Sequence, residues 1–305
     1  MKVMKSLRDV MDAVKSAPPR KIAVSAAADE DILGAVGAAK NRGIADFILV
    51  GDRDLILKMA ADHGVDVSSC EILDVKDPAE SAKVAVGLVS GGKADIVMKG
   101  LVESSVFIKA LLDPDTGLRV EGSVFSAIAV MDMREYDRLM FITDPGFVPA
   151  PDLETKKRLI ENAVGVMKKL GIETPKVAVL SAVETVSQKM IATVEARSLQ
   201  EMNEAGKISG CVVAGPISLD LAISEKSAAH KKYLHAVAGK ADLLLVPTIE
   251  VGNALYKSMT YFAHIASGGV VAGTRSPVIF TSRSDTAETK LHTIALAVYL
   301  AGVNR

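Results

Sequence analysis

GKADIVMKGLVESSVFIKALL, residues 92–112, decides the fold. Gly92 suits the left-handed residue that closes a helix, and it is followed by the apolar run DIVMK at 95–99. Gly100 then breaks the strand pattern before a stretch whose apolar residues recur at three- and four-residue spacing. Helix stop, buried strand, tight turn and helix thus follow one another directly, which is the unit from which α/β sheets are wound.

The same punctuation recurs as Gly43-Ile44-Ala45-Asp46 and Gly239-Lys240-Ala241-Asp242, each ahead of an apolar strand. Each stamp reads as helix, stop, strand; the unequal intervals between stamps exclude a solenoid repeat. Strand-like runs stand at KIAVS 21–25, FILVG 47–51, EILDV 71–75, KVAVL 176–180, CVVAG 211–215, LLLVP 243–247 and PVIFT 277–281. Helical spacing occupies 29–42, 77–90, 154–170, 189–205, 253–266 and 286–301. Continuous apolar strands between helices predict mainly parallel sheets covered on both faces. Residues 123–143 differ, because SVFSAIAVMD and RLMFITD flank a charged REYD turn, the pattern of two neighbouring strands without a helix. DPGFVPAPD, 144–152, carries three prolines and reads as a rigid exposed loop, where composition alone would divide the chain.

The chain has 305 residues, 49% of them hydrophobic and 4% aromatic, with no tryptophan. A length about twice that of a typical domain predicts two α/β units, with roughly three quarters of the unfolded surface buried. Lys and Arg total 36 against 37 Asp and Glu, a net charge of −1, which gives no electrostatic footprint for nucleic acid or an anionic membrane. A small phosphate ligand stays open. The opening MKVMKSLRDVMDAVKS has charges within its apolar pattern, unlike a signal peptide, and no run approaches the roughly 20 apolar residues of a membrane span. Cys70 and Cys211 are far apart and start apolar runs, a usage expected of buried thiols in a reducing, cytoplasmic setting.

In parallel sheets ligands gather beyond the carboxyl ends of strands, where the next helix offers unpaired N–H groups. Three junctions fit. At the first, Gly100 permits close backbone approach while Lys99 and Lys109 supply positive charge, although such lysines are also ordinary solvated residues. At the second, Pro247-Thr248-Ile249-Glu250-Val251-Gly252-Asn253, Asn253 reads equally as a helix N-cap, and Glu250 sits in the turn where a carboxylate can orient a ligand. At the third, Thr281-Ser282-Arg283-Ser284-Asp285-Thr286-Ala287-Glu288, the Asp285/Glu288 spacing resembles a capping box, which would place Ser282 and Arg283 just ahead of a helix N-terminus. No P-loop, GxGxxG turn, CxxC pair, HExxH or GxSxG elbow is present, and the five histidines show no metal-like clustering.

At these junctions the chain resembles the phosphate acetyl/butyryltransferase family, most like its butyryl branch. PTIEVGNALYK, 247–257, is similar to the family's Pro-x-x-Glu-x-Gly-Asn-x-x-Tyr-Lys block, and SPVIFTSRSD, 276–285, follows at family spacing. GPISLDLAIS, 215–224, and ADIVMKG, 94–100, resemble further family segments. The resemblance implies two α/β domains of isocitrate/isopropylmalate dehydrogenase-like architecture with an interdomain active-site cleft, the first at about 1–128 plus 272–305 and an inserted second at about 129–271. It further implies a homodimer whose substrates are acyl-CoA, CoA, inorganic phosphate and acyl phosphate, with no metal or redox cofactor.

The implied reaction exchanges thiolate and phosphate at a carbonyl. A thiol of pKa near 8.5 needs a base supplying roughly 2 kcal/mol, and a well-placed donor to the oxyanion is worth about 3–4 kcal/mol. Arg283 is the candidate for the phosphate oxygens and Ser282 for the acyl oxygen or thiol, with no covalent acyl-enzyme. Two departures matter. Acetyl-type relatives carry an aspartate as proposed base seven residues after the serine, where this chain has Thr289, so Asp285 and then Glu288 are the substitutes. Lys109 stands at about the place of an arginine in those relatives. The residues leave phosphate acetyl transfer, a noncatalytic acyl-CoA or phosphate binder, and a metal-dependent dehydrogenase of similar fold as other readings, the last lacking clustered aspartates because Asp220 reads as isolated.

Overall fold

The computed structural model describes residues 2–133, 136–282 and 284–303. The chain divides into two compact units, one of Leu7–Ser123 with Gly268–Arg305 and one of Met1–Ser6 with Val124–Ser267.

The first unit begins α1 (Leu7–Lys15), β1 (Arg20–Ser25), α2 (Glu30–Asn41), β2 (Ala45–Gly51), α3 (Arg53–Asp62), β3 (Glu71–Asp74), α4 (Pro78–Ser90), β4 (Ile96–Lys99) and α5 (Ser104–Leu111). The second unit contains β5 (Ser126–Asp132), β6 (Leu139–Thr143), α6 (Leu153–Lys169), β7 (Lys176–Leu180), α7 (Ile191–Glu204), β8 (Val212–Ile217), α8 (Leu219–Ile223), α9 (Glu225–His230), β9 (Leu243–Leu245) and α10 (Ile249–Tyr261). β10 (Ala266–Ala272) carries the chain across the division, and β11 (Val278–Ile279) and α11 (Ala287–Val303) complete the first unit.

The first unit's sheet is wholly parallel in the order β11-β4-β1-β2-β3. Every residue of β4 and the last four of β1 are buried, as expected of strands covered on both faces. The chain winds outward from β1 through β2 to β3, then returns to place β4 on the other side of β1. The winding direction therefore reverses between β1 and β4, and at such a switch point the loops leaving the two strands diverge and open a crevice. In the second unit β5 and β6 form the antiparallel pair that the 123–143 pattern predicts, and β6, β9, β7 and β8 continue in parallel.

Local chemistry explains the element ends. Asp29, Asp52, Asp77 and Asp152 cap α2, α3, α4 and α6 by accepting backbone N–H bonds of the first turn. Gly43 and Gly92 adopt positive φ just past α2 and α4. The third stamp departs from its reading: Gly239 has positive φ but follows turns rather than a helix, and its missing side chain makes room for Glu225, whose N would lie 2.4 Å from a Cβ. The stamps' aspartates start strands in register. Asp95 accepts from Lys21 N at 3.0 Å, and Asp242 accepts from Lys176 N at 2.8 Å, each at the first residues of the neighbouring strand. Burial pushes the Asp242 carboxyl up, opposed by that N–H bond and by the nearby Arg138 and Lys176 charges.

A second departure lies at α10, whose pattern predicts a helix over 253–266. The helix runs from Ile249 to Tyr261, and residues from Ala266 form β10. Gly268 and Gly269 are poor helix formers and Val270 and Val271 favour strands. Gly268 also lies so close to α11 that a Cβ would meet Leu296 Cδ1 at 2.7 Å. No helix among the described residues is long and apolar enough to cross a membrane.

Candidate active site

At the carboxyl ends of β11, β4 and β1 the first unit holds a hollow of about 430 Å³, open to solvent, lined by Asp29, Asp31, Ile32, Lys99, Gly100, Leu101, Thr281, Ser282 and Lys290. It sits at the β1/β4 switch point. The wall at β1 and β4 is set by Gly100, because a Cβ there would lie 2.1 Å from Ser25 O and 2.5 Å from Ala26 O. Only a glycine lets the two strand ends come this close. Leu101 N donates to Ala26 O at 2.9 Å, and the buried Ser25 hydroxyl donates to Met98 O at 3.2 Å while accepting from Gly100 N at 3.4 Å. Ala26 takes a positive φ of 42°, and its N donates to the buried Ser81 hydroxyl at 2.7 Å, which in turn donates to Val50 O at 2.9 Å.

Two lysines form the charged part of the hollow. Lys99 is only 4% exposed; its Nζ donates to Gly100 O at 3.4 Å and stands 5.5 Å from the Phe280 ring centre. Lys290, from the first turns of α11, is 1% exposed; its Nζ donates to Asp285 O at 2.5 Å and meets Asp31 Oδ2 at 3.3 Å. A buried ammonium loses several kcal/mol of hydration and must be compensated locally. The two cations share the hollow with two carboxylates, Asp29 and Asp31.

The third junction forms the opposite lip. Ser282 N donates to Asp285 Oδ2 at 2.7 Å, and Asp285 N donates back to Ser282 O at 3.2 Å, so the carboxylate closes the turn that presents Ser282. The Ser282 hydroxyl lies 3.0 Å from that of Ser284 and accepts from Ser284 N at 3.3 Å. The Asp285/Glu288 capping box is not formed. Thr286 is the cap instead: its hydroxyl accepts from Thr289 N at 3.1 Å and donates to Thr289 Oγ1 at the same separation. The cap falls one residue later than the sequence suggests because Asp285 is engaged by Ser282. Glu288 is exposed on the first turn of α11. Arg283 lies outside the described residues.

Lys109 is exposed on α5 and borders a separate shallow depression with Ser105, Ile108, Leu112, Asp113 and Pro114, so Lys290 and not Lys109 accompanies Lys99. The sequence offers a signal for Lys290 that its reading misses. From Leu291 onward α11 is largely apolar, and a helix of that kind is buried, so its one lysine, immediately ahead of that run, is drawn into the interior with it.

The second junction belongs to the second unit. The N-cap is Thr248 rather than Asn253, which puts Glu250 inside the first turn of α10. The Thr248 hydroxyl and Glu250's own backbone N–H hold its exposed carboxyl below the usual range. Gly252 and Asn253 seat the helix on the 144–145 turn. A Cβ at Gly252 would meet Asp144 O at 2.8 Å and Val246 Cγ2 at 2.9 Å, and Asn253 Nδ2 donates to Pro145 O at 3.3 Å. Asp144 is buried, which raises its carboxyl above the usual range even though N–H bonds from Gly146 and Phe147 at 2.7 Å and Ala127 at 2.9 Å oppose the shift. Asp220 is not isolated: it accepts from Ser218, which also bonds Glu184, and pairs with Lys231 at 3.1 Å. Among the described residues no group of three or more His, Cys, Asp or Glu is placed to hold a metal ion.

The profile of the family described as phosphate acetyl/butaryl transferase matches residues 6–85 and 79–298. A phosphate butyryltransferase of Clostridium acetobutylicum is 46% identical over 300 residues, 98% of this chain and 99% of that protein. The crystal structure of a branched-chain phosphotransacylase from Enterococcus faecalis superposes with a TM-score of 0.82 at 32% identity, covering 92% of this chain and 99% of that one. A 4-hydroxythreonine-4-phosphate dehydrogenase from Klebsiella pneumoniae, 12% identical, shares the fold at a TM-score of 0.57 over 92% of this chain and 99% of its own, in keeping with the dehydrogenase-like architecture. Full-length identity of this order, together with the switch-point hollow bearing Ser282 and its buried lysines, leads to one conclusion: the chain is an acyltransferase that belongs to the phosphate acetyl/butaryl transferase family.

Proposed function

We propose that the chain moves a short acyl group, butyryl or a branched short acyl, between coenzyme A and inorganic phosphate by direct exchange at the carbonyl. The observation that carries this reading is the hollow in which the Ser282 hydroxyl stands at the lip and the buried Lys99 ammonium behind it. A phosphate oxygen attacks the thioester carbonyl, the C–O bond forms as the carbonyl π pair moves to oxygen, and collapse of the tetrahedral intermediate breaks the C–S bond to release CoA thiolate. The Ser282 hydroxyl donates to the oxyanion, and Lys99 neutralises phosphate oxygens together with Arg283. Asp285 Oδ2 holds the Ser282 turn. We assign to the same carboxylate the proton relay, taking the proton from the attacking hydrogen phosphate and passing it to the leaving thiolate, with Glu288 as the alternative carrier.

Thr248 and Glu250 are assigned to substrate contact, whereas Gly252 and Asn253 serve by seating α10. The exchange as written is balanced without a metal or redox group. Cytoplasmic placement and a homodimer belong to the same proposal, resting on cysteine usage and the family resemblance. The test is CoA release from butyryl-CoA driven by phosphate or arsenate. Release should depend on the oxyanion, fall at least a hundredfold in Arg283→Ala, and fall by about 10²-fold in Ser282→Ala. Tight acyl-CoA binding without release would mark a noncatalytic binder, and a preference for acetyl-CoA would favour the acetyl reading.

A further inference from the structure

We propose that Lys290 and Lys99 together form a seat for a tetrahedral phosphate group, and that Asp31 is the exchangeable counter-charge that occupies Lys290 until the phosphate arrives; this rests on the acyl-transfer reading above. Lys290 has no assigned role in the sequence pattern, yet its side chain is among the most buried of the described residues. The compensation it receives is uneven. One partner is the Asp285 carbonyl, a neutral acceptor at 2.5 Å; the other is Asp31, whose carboxylate is 55% exposed and meets the ammonium at 3.3 Å. A cation this deep, balanced by an anion standing mostly in water, is arranged so that the anion can leave.

The surrounding groups define what replaces it. Asp29 also lines the hollow, but its carboxylate is engaged as the N-cap of α2, accepting from Ile32 N at 3.0 Å. Asp31 is anchored by no cap role and has solvent on its other side. Lys99 and Lys290 therefore hold two positive charges facing one space, with one fixed and one displaceable carboxylate. An incoming phosphate carries two negative charges near neutral pH and several acceptor oxygens, and it matches two ammonium groups better than a single carboxylate does. Lys290 also donates to the carbonyl of Asp285, the residue whose carboxylate closes the Ser282 turn, so the same ammonium links the anion to the reacting serine's position.

The test compares opposite substitutions in the full chain. Inorganic phosphate binding is measured by calorimetry without acyl-CoA, and phosphate and acyl-CoA KM values are measured by CoA release. Lys290→Met should weaken phosphate binding and raise phosphate KM by about tenfold or more, Lys290→Arg should recover part of the loss, and Asp31→Asn should tighten phosphate by roughly three- to tenfold. A merely structural ion pair predicts the same sign for both changes, a lower melting temperature with phosphate affinity unmoved, and that result overturns the seat. If Lys290→Met does not fold, Asp31→Asn decides alone, since its side chain is exposed and absence of tightening refutes displacement. Parallel titrations with CoA and dephospho-CoA distinguish inorganic phosphate from a CoA phosphate as occupant; variants that change the binding of neither inorganic phosphate nor CoA overturn the proposal. Phosphate binding that responds as stated in a chain without turnover would sink the acyl-transfer reading and leave the seat standing, whereas normal turnover with both variants unresponsive would do the reverse.

Discussion

Gly100→Ala is the sharpest perturbation of the first unit. The added Cβ would sit 2.1 Å from Ser25 O, 2.5 Å from Ala26 O and 3.0 Å from Ala26 C, all backbone atoms at the paired ends of β1 and β4. A carbon and a carbonyl oxygen rest comfortably at about 3.3–3.6 Å, so these strand ends must part by roughly 1 Å. Parting them strains or breaks the Leu101 N–Ala26 O bond, now 2.9 Å. Loss of a backbone hydrogen bond at the exposed Leu101 costs about 0.5–1.5 kcal/mol and overpacking about 1–3 kcal/mol, offset by about 0.4–1 kcal/mol from the stiffer unfolded chain. The net loss is about 1–4 kcal/mol, a fall in melting temperature of roughly 3–12 °C for a unit of this size. Lys99 is the preceding residue, so the phosphate KM should rise as well. Gly87→Ala is the control: it lies inside α4 with nothing within 4 Å of a new Cβ, and it should be neutral or stabilise by up to about 1 kcal/mol. Melting curves of both variants beside turnover assays make the comparison, and a Gly100→Ala protein as stable and active as the parent would refute the close-approach argument.

Three further outcomes follow from the geometry. Gly252→Ala should cost about 2–3 kcal/mol in chemical denaturation, because Asp144 O, Val246 Cγ2 and Pro145 Cα already stand at 2.8, 2.9 and 3.0 Å from the added carbon, and an unchanged midpoint would contradict that seating of α10. Thr286→Ala should lose about 1 kcal/mol by removing the cap of α11 while Glu288→Gln stays within about 0.5 kcal/mol; the reverse ranking would restore the capping-box reading. Burial pushes the Cys211 thiol up to about 11, so at pH 8 only roughly one in a thousand is thiolate, and a colorimetric thiol reagent should label it slowly in the native protein and fully in denaturant. Rapid native labelling of Cys211 would show that the strand it precedes is more open than described.

The legible parts of the fold are those in which one local rule dominates. Continuous apolar runs such as those of β1 and β4 are set by burial on both faces, and a glycine at positive φ marks the stop before them at Gly43 and Gly92. β10 hides because two of its residues are glycines, which carry no strand signature, and one of them, Gly268, makes room for Leu296 of α11, a tertiary reason with no local signal. At the site, Ser282, Asp285, Lys99 and Gly100 were legible as strand-end residues. Their partners were not, because Asp31 and Lys290 are 259 residues apart and meet only through the return of the chain to the first unit. The capping roles of Asp285 and Thr286 differ by one residue, a distinction decided by which carboxylate or hydroxyl the Ser282 turn claims first.

The central claim is direct exchange of phosphate for CoA at the acyl carbon, and it is tested most directly by following both products from butyryl-CoA, with CoA read as free thiol and acyl phosphate trapped by hydroxylamine. The account predicts one acyl phosphate for each CoA released and no release without phosphate. CoA appearing in phosphate-free buffer, or released without an equivalent of acyl phosphate, would contradict it.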